Sequence, residues 1–263
     1  MDMQPLCDDL AAEQQALAGL LAGLDEAAWA RPTPAEGWQV RDQISHLGWT
    51  DRVAILAVTD PARFTAEMAT QARAARLAQQ LEVGRRLRGA ELLAWWQHGF
   101  ADLLAVLRRL DARTRIPWFG PAMSAASFAT ARLMEIWAHG QDIVDALGLV
   151  RPASERLRHI AHLGVLARPY SYRVRGLEPP EEPVHVVLTS PAGARWSWGP
   201  EAAAQRITGP ALDFCLVVTQ RRHLADTALQ VQGELARQWM HLAQAFAGPP
   251  GPGRRPGQFP RSG

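Results

Sequence analysis

The sequence predicts a mainly α-helical protein, in which an antiparallel four-helix bundle is followed by a small α+β domain. Through the first two thirds of the chain, apolar residues recur at the three-to-four-residue spacing of amphipathic helices. After residue 175 that spacing gives way to short alternating runs, which are typical of strands. We therefore expect a bundle over residues 1–175, an α+β domain over residues 184–247 and a disordered tail over residues 248–263.

The helices of the bundle are separated by residues that interrupt helical structure. Leucines at helical spacing mark the first helix, Pro32, Pro34 and Gly37 break the chain after it, and Gly148 is placed to end the last helix. The predicted helices lie at about residues 6–24, 39–58, 61–82, 88–111 and 123–147. Four or five helices of this length, joined by short connections, favour an antiparallel bundle.

The carboxy-terminal domain follows a proline-rich linker at residues 178–183. Alternating or β-branched segments predict strands at residues 184–189, 195–198, 205–208 and 228–232. Helices are predicted from Gly209–Pro210 to about residue 219 and over residues 234–246. The final residues are mostly glycine, proline and arginine, a composition that predicts disorder.

Composition narrows the class of function. The 263 residues carry a formal net charge of +2, and no block of basic residues interrupts the predicted folded region, which argues against nucleic acid as the partner. All 28 permanently positive side chains are arginines. Because arginine binds carboxylates better than lysine does, we expect a small acidic molecule as substrate.

The cysteines and the amino terminus indicate where the protein works. Cys7 and Cys215 fit no metal-binding spacing, so they are expected to be reduced thiols. The first residues include acids where a signal peptide has bases, and no apolar run reaches the roughly 18 residues of a membrane span. These features predict a cytoplasmic protein that does not enter the membrane.

Three residues suggest a metal centre. His46 lies on the second predicted helix, while Glu135 and His139 lie four residues apart on the last bundle helix and therefore project from one face. If the two helices pack side by side, the three side chains converge and one coordination position stays open. Two histidines and one carboxylate are a common ligand set of catalytic zinc.

Two aspartates are placed to support these ligands. Asp42 precedes His46 by four residues, and Asp142 follows His139 by three. Each carboxylate is positioned to accept a hydrogen bond from the neighbouring imidazole, which would orient the ring toward a metal. The alternative is that both aspartates are solvated on a helix surface.

Aromatic residues and other histidines leave further alternatives open. Trp38, Trp49 and Trp137 flank the ligand segments, so they either wall a pocket, with Trp38 as the candidate for cofactor binding, or fill the core. His159 and His162 are three residues apart and would suit a second metal site or an exposed helix face.

The ligand segments resemble two motifs of a known group. Gly37-Trp38, Val40–Asp42 and His46-Leu47 resemble the first metal-binding motif of the DinB-like bundle superfamily. Residues 135–142 resemble the second motif of its mycothiol-dependent maleylpyruvate isomerase branch, whose ligands are His, Glu and His. Three carboxy-terminal segments resemble the small domain of the same branch, at residues 191–196, 209–213 and 230–233.

The resemblance implies a DinB-like bundle that holds a divalent metal, with zinc as the expected ion, on His46, Glu135 and His139. It also implies mycothiol, or another low-molecular-weight thiol, as cofactor. Addition of the thiolate to the cis double bond of maleylpyruvate allows rotation about the resulting single bond, and elimination leaves the trans isomer. An arginine that binds cofactor or substrate maps onto Arg221 or its neighbour Arg222, for which solvated arginines at a helix end are the alternative.

Three functions are open at this point. The first is a metal-dependent, thiol-using enzyme, either a cis-trans isomerase of a small unsaturated acid or a thiol S-transferase. The second is a non-catalytic metal-binding protein whose bundle drives dimerisation. The third is a biosynthetic enzyme that keeps the metal and needs no thiol. The sequence is compatible with a monomer and with a homodimer.

Overall fold

The protein is mainly helical, as the sequence predicts. Contacts between residues divide it into two units, Met1–Arg151 and Pro152–Gly263. Within the residues that are described, no helix is both long enough and apolar enough to cross a membrane. The computed structural model describes residues 3–70, 72–120 and 122–259.

Four long helices form the core of the first unit. They are α1 (Met3–Leu21), α3 (Val40–Thr59), α6 (Gly89–Leu107) and α7 (Ala125–Leu147). Both α1 and α3 pack against α6 and α7, so the four helices close into a ring around buried leucine and tryptophan side chains. The shorter elements of this unit are α2 (Glu26–Trp29), α4 (Pro61–Thr70), α5 (Arg73–Arg86), β1 (Arg115–Ile116) and β2 (Met123–Ser124).

The segment predicted as one helix over residues 61–82 forms two helices instead. The first ends at Thr70 and the second begins at Arg73, while Gln71 lies outside the described residues. Both α4 and α5 pack against α3, and Ala72 has an extended backbone at the turn that permits this. The predicted helix is therefore interrupted because both of its halves pack against α3. No glycine or proline marks the interruption in the sequence.

Local signals set the ends of the helix that carries two of the predicted ligands. The Ser124 side chain accepts a hydrogen bond from the Ser127 amide and caps the start of α7. At the other end, Gly148 has a φ of 66°, the left-handed conformation of a helix C-cap, as predicted.

A buried ion pair joins α3 to α7. An Arg132 guanidinium nitrogen lies 2.8 Å from an Asp51 carboxylate oxygen, and both side chains are almost fully buried. The Trp96 indole of α6 donates to the other carboxylate oxygen at 3.1 Å. Because a buried carboxylate without such partners is costly, this network specifies how the two helices face each other.

The second unit is a four-stranded sheet covered by helices. Its elements are α8 (Leu157–Leu166), α9 (Arg168–Arg173), β3 (Val184–Thr189), β4 (Arg195–Trp198), β5 (Gln205–Pro210), α10 (Ala211–Val218), β6 (Gln230–Gln232) and α11 (Glu234–Leu242). The strand order is β4-β3-β5-β6, in which β3 and β5 are parallel and the other two pairs are antiparallel.

The contacts place α8 and α9 in this second unit, whereas the sequence predicts that the bundle extends to residue 175. Helix α8 packs on α10, where Gly164 lies so close to Val218 that a β-carbon would approach the valine to 2.8 Å. Helix α9 packs on α11. The predicted bundle helices end at about residue 147, so α8, α9 and the partners they pack against are seen only in the structure.

The tail from residue 248, which the sequence predicts to be disordered, makes specific contacts as far as it is described. The Gly248 carbonyl accepts hydrogen bonds from the Tyr170 hydroxyl and the Gln244 amide, and the Gly257 amide donates to Asp226. Residues 260–263, the last of the predicted disordered segment, lie outside the described residues.

Candidate metal centre

Helices α3 and α7 bring the three predicted ligands together. The Nε2 atom of His139 lies 3.2 Å from Oε2 of Glu135, and Nε2 of His46 lies 4.0 Å from the same oxygen. One donor atom from each residue lies within 4.8 Å of the other two. The side chains are 13% to 22% exposed, so the cluster is partly buried and still open to a small ligand.

This donor set fits a divalent metal such as zinc. Two ligands at about 2.0–2.1 Å from a tetrahedral ion lie roughly 3.3 Å from each other. The two distances to Glu135, 3.2 Å and 4.0 Å, bracket that value. Three protein ligands leave a fourth position for a cofactor or substrate atom, which is the arrangement of a catalytic centre.

A hydrogen-bond relay sets the tautomer of His139. The Thr33 hydroxyl donates to the Trp38 carbonyl and therefore accepts from the Gln43 side-chain nitrogen, at 2.8 Å. The amide oxygen of Gln43 then faces Nδ1 of His139 at 2.5 Å. Since that oxygen only accepts, Nδ1 carries the hydrogen, and Nε2 presents its lone pair toward the cluster.

A second glutamine orients His46. Nδ1 of His46 lies 3.0 Å from the side-chain oxygen of Gln80, which belongs to α5. The Ser45 hydroxyl donates to the Gln80 backbone carbonyl and accepts from the Gly84 backbone amide. It therefore bridges a carbonyl and an amide that lie one turn apart on α5. These bonds hold Gln80 beside the imidazole and make α5 part of the support of the site.

The charge state of the cluster suits a cation. Burial alone would raise the pKa of the Glu135 carboxyl, but the imidazolium forms of His139 and His46, which carry a hydrogen on Nε2 as well, donate hydrogen bonds to it and attract its charge, and this holds that pKa well below its usual range. The Nε2 lone pair that a metal would bind belongs to the neutral ring. Glu135 is therefore ionised at neutral pH and supplies the one negative charge of the cluster.

Trp38 covers the two imidazoles. Its ring centroid lies 5.4 Å from that of His46 and 5.9 Å from that of His139, with which it is nearly parallel. Gly37, with a φ of 76°, lets the chain turn just before it. Trp137 is instead a core residue, 4% exposed, and Trp49 is half-buried on α3.

Asp42, one of the two predicted supporting aspartates, makes other contacts. Asp42 accepts a hydrogen bond from the Gln39 amide at 2.9 Å, so it caps α3. It also pairs with Arg85 at 3.3 Å. Asp142 is buried on α7, and its predicted support of His139 stays a prediction.

The glutamines were not identified from the sequence. Gln43 lies one turn before His46 on the same helix but supports His139, 96 residues away. Gln80 lies on a helix rich in polar residues, where glutamine is an ordinary helix former. The available signal was that an imidazole ligand needs an acceptor at its second nitrogen, and amide oxygens can serve as well as carboxylates.

The predicted arginines lie in the second unit, just after α10. Gln220, at a φ of 59°, reverses the chain, and the amides of Arg221 and Arg222 both donate to the Leu216 carbonyl. Each guanidinium also bonds a nearby backbone carbonyl, that of Thr219 for Arg221 and that of Arg221 for Arg222.

Neither cysteine is placed to act as a nucleophile. Both Cys7 and Cys215 are free and fully buried. Burial raises the pKa of each thiol, for Cys7 against a partial lowering by Arg108. Both side chains therefore stay protonated, as small apolar groups of the core.

Comparison with known proteins places these features in context. Residues 10–144 match the family described as the mycothiol maleylpyruvate isomerase N-terminal domain, and residues 180–231 match the family described as wyosine base formation. Two uncharacterized proteins of Mycobacterium tuberculosis, from strains CDC 1551 and H37Rv, are each 52% identical to this chain over 256 residues. Those alignments cover 96% of this chain and 99% of each relative.

Solved structures share the fold at low sequence identity. The crystal structure of a mycothiol-dependent maleylpyruvate isomerase superposes with a TM-score of 0.58, and a mutant of it with one histidine changed to alanine superposes with a TM-score of 0.57. Both are 16% identical to this chain, and the alignments cover 84% of it and 90% of the other chain. The likeness confirms the predicted fold class.

Proposed function

This chain belongs to the family of the mycothiol maleylpyruvate isomerase N-terminal domain, and from that premise we propose that it is a metal-dependent, thiol-using enzyme. The proposed reaction is the cis-trans isomerisation of a small unsaturated acid of the maleylpyruvate type, with mycothiol as the thiol. The observation that carries the proposal is the convergence of His46, Glu135 and His139, whose donor atoms lie within 4.8 Å of one another.

The side chains around the cluster have distinct proposed roles. His46 and His139 bind the metal, zinc in this proposal, through Nε2, because Gln80 and Gln43 occupy their Nδ1 atoms. Glu135 binds it through a carboxylate oxygen and offsets part of its charge. When bound, a divalent metal supplies a Lewis acid that favours a thiolate over a thiol and polarises a carbonyl. Trp38, stacked on His139 and tilted against His46, is proposed to form one wall of the cofactor site.

The thiol is proposed to come from outside the protein. Cys7 and Cys215 are buried and protonated, so the chain lacks a thiolate of its own among the residues described. Thiolates are good zinc ligands, and the open position accommodates one. Reduced low-molecular-weight thiols are reagents of the cytoplasm, which is where the proposal places the enzyme.

An acidic substrate is proposed because the chain offers arginines and no lysine. Arg221 and Arg222 are the candidates for holding a carboxylate, since a guanidinium can donate two parallel hydrogen bonds to it. Their backbone is fixed by the turn at Gln220, which would limit the entropy lost when an anion binds.

Metal content tests the first part of the proposal. The purified protein should carry about one divalent metal per chain, as measured by elemental analysis after incubation with zinc and desalting. His46→Ala and His139→Ala should lose it with little change in circular dichroism, because the helices bury their own core. His98→Ala, which changes an exposed histidine of α6, is the matched control and should keep the metal.

Turnover tests the second part. Metal-loaded protein should isomerise maleylpyruvate with mycothiol and should not do so without thiol, followed by absorbance. Turnover without any thiol would support a thiol-independent enzyme on the same scaffold. Failure with mycothiol and with glutathione, in protein shown to hold its metal, would overturn the isomerase assignment.

A further inference from the structure

The second unit contains a basic pocket that shares only Arg222 with the residues proposed above for the metal-dependent reaction. The cavity holds about 150 Å³ and is bounded by the end of α10, the end of α11 and the tail residues 251–254. That volume suits a molecule of a few heavy atoms.

The charge of the lining is of one sign. Five basic residues line the pocket: Arg175, Arg222, His223, His241 and Arg254. None of the thirteen lining residues that are described is an aspartate or a glutamate. A water-accessible cavity with several cations and no carboxylate in its wall attracts small anions.

The arginines are held in place rather than extended into solvent. The Arg222 guanidinium lies 4.3 Å from the centroid of the Phe259 ring and donates to the Arg221 carbonyl. Arg175 donates from one nitrogen to the Ser171 carbonyl at 2.8 Å. Such contacts limit side-chain motion before any ligand arrives, so less entropy is lost on binding.

A histidine adds a donor. Nδ1 of His223 accepts a hydrogen bond from the Ala225 amide at 3.1 Å. That nitrogen therefore carries the lone pair, and Nε2 carries the hydrogen. His223 is thus a hydrogen-bond donor through Nε2 even when it is uncharged, and its ring lies 5.9 Å from that of His241.

The tail forms one wall of this pocket because it is tied down on both sides of residues 251–254. Gly248 is bonded by Tyr170 and Gln244, and the Gly257 amide donates to Asp226 at 2.7 Å. Phe259 lies against Arg222. This arrangement brings Arg254, from the far end of the chain, beside arginines that follow α9 and α10.

We propose that this pocket is a binding site for a small dianion, a dicarboxylate or a phosphate, held by Arg175, Arg222 and Arg254. Arginine forks match the planar carboxylate and the oxygens of phosphate, and each can donate two hydrogen bonds to one group. The site does not rest on the proposed metal chemistry, since none of the three metal-ligand candidates belongs to the second unit.

Calorimetric titration of the full-length, metal-loaded protein tests the site with two probes, inorganic phosphate and succinate, at low ionic strength. Saturable binding of at least one probe is expected, and the probe that binds identifies the anion class. Arg254→Ala should raise its Kd roughly tenfold or more, because a charged hydrogen-bond partner is lost. Arg255→Ala removes the same charge from the exposed neighbouring position and should change the Kd less than about twofold.

Two further measurements keep the test independent of folding and of the metal. Both variants should melt at the wild-type temperature, since residues 254 and 255 lie on the tail outside the helices and strands. His46→Ala should bind the anion as the wild type does even if it holds no metal. Absence of saturable binding to either probe, or an equal loss in Arg254→Ala and Arg255→Ala, would overturn the proposal.

Discussion

Replacement of Gln43 by leucine should weaken the binding of zinc without unfolding the protein. The Gln43 side chain is fully buried and makes two hydrogen bonds, to His139 at 2.5 Å and to Thr33 at 2.8 Å. Leucine has a similar size and keeps the packing. It removes the acceptor that holds the Nδ1 hydrogen of His139, so the imidazole is free to take the other tautomer and to rotate.

The expected magnitude follows from the role of such acceptors. Loss of the partner that orients a histidine ligand typically costs 10–100-fold in metal affinity, or about 1.4–2.7 kcal/mol. Gln43→Glu should keep most of the affinity, because a carboxylate also accepts from Nδ1. Gln14→Leu changes another buried glutamine of the first unit, on α1, and serves as the control.

Competition with a chromophoric zinc chelator at fixed pH measures these affinities, and circular dichroism verifies the fold. The order expected is wild type and Gln14→Leu tightest, Gln43→Glu close to them, and Gln43→Leu weaker by at least about tenfold. A Gln43→Leu protein that binds zinc within about twofold of the wild type, while His139→Ala does not bind, would refute the assigned tautomer relay.

Two further substitutions test the support of the site. Gly84→Ala would place a β-carbon 2.7 Å from that of Ser45, so α5 should move away from α3. The free energy of unfolding, measured in urea, should fall by about 1–3 kcal/mol. Zinc binding should weaken as well, because Gln80 moves away from His46. Arg132→Met should cost about 3–5 kcal/mol, because it leaves Asp51 buried without its cation. Burial raises the pKa of Asp51 and Arg132 lowers it, so in this variant the pKa rises further above its unfolded value. The folded state of this variant then binds the proton of Asp51 more tightly than the unfolded state does. The urea midpoint of Arg132→Met should therefore rise as the pH falls from about 8 to about 5. An unchanged midpoint would contradict a raised pKa of Asp51 in the folded state.

The sequence predicts that the three candidate ligands converge, and part of that signal is local. Glu135 and His139 are separated by four residues within one uninterrupted helix, and their spacing alone places them on one face. The position of His46 beside them depends on the packing of α3 on α7, which is not a local signal. We expect this packing because the segment around His46 resembles a metal-binding motif. The capping glycine at residue 148 is predicted for the same local reason.

The supporting residues could not be predicted because their partners are distant in the chain. Gln80 reaches His46 across 34 residues, and it does so only because α5 turns back to pack on α3. The same packing breaks the predicted helix at residues 70–73, where neither glycine nor proline is present. A tail of glycine, proline and arginine is likewise fixed by long-range partners, Tyr170 and Asp226, that its composition cannot reveal.

The contact of Trp38 with both candidate imidazoles gives the protein an optical reporter of its own. An indole within 6 Å of the two rings will lose fluorescence when a paramagnetic ion such as Cu²⁺ occupies the cluster. The chain contains ten tryptophans, so the signal is the difference between the wild type and Trp38→Phe. Ion exchange at this centre can therefore be followed by stopped-flow emission in unlabelled protein, with Cu²⁺ loading as the bright-to-dark step and removal of Cu²⁺ by a chelator as its reversal.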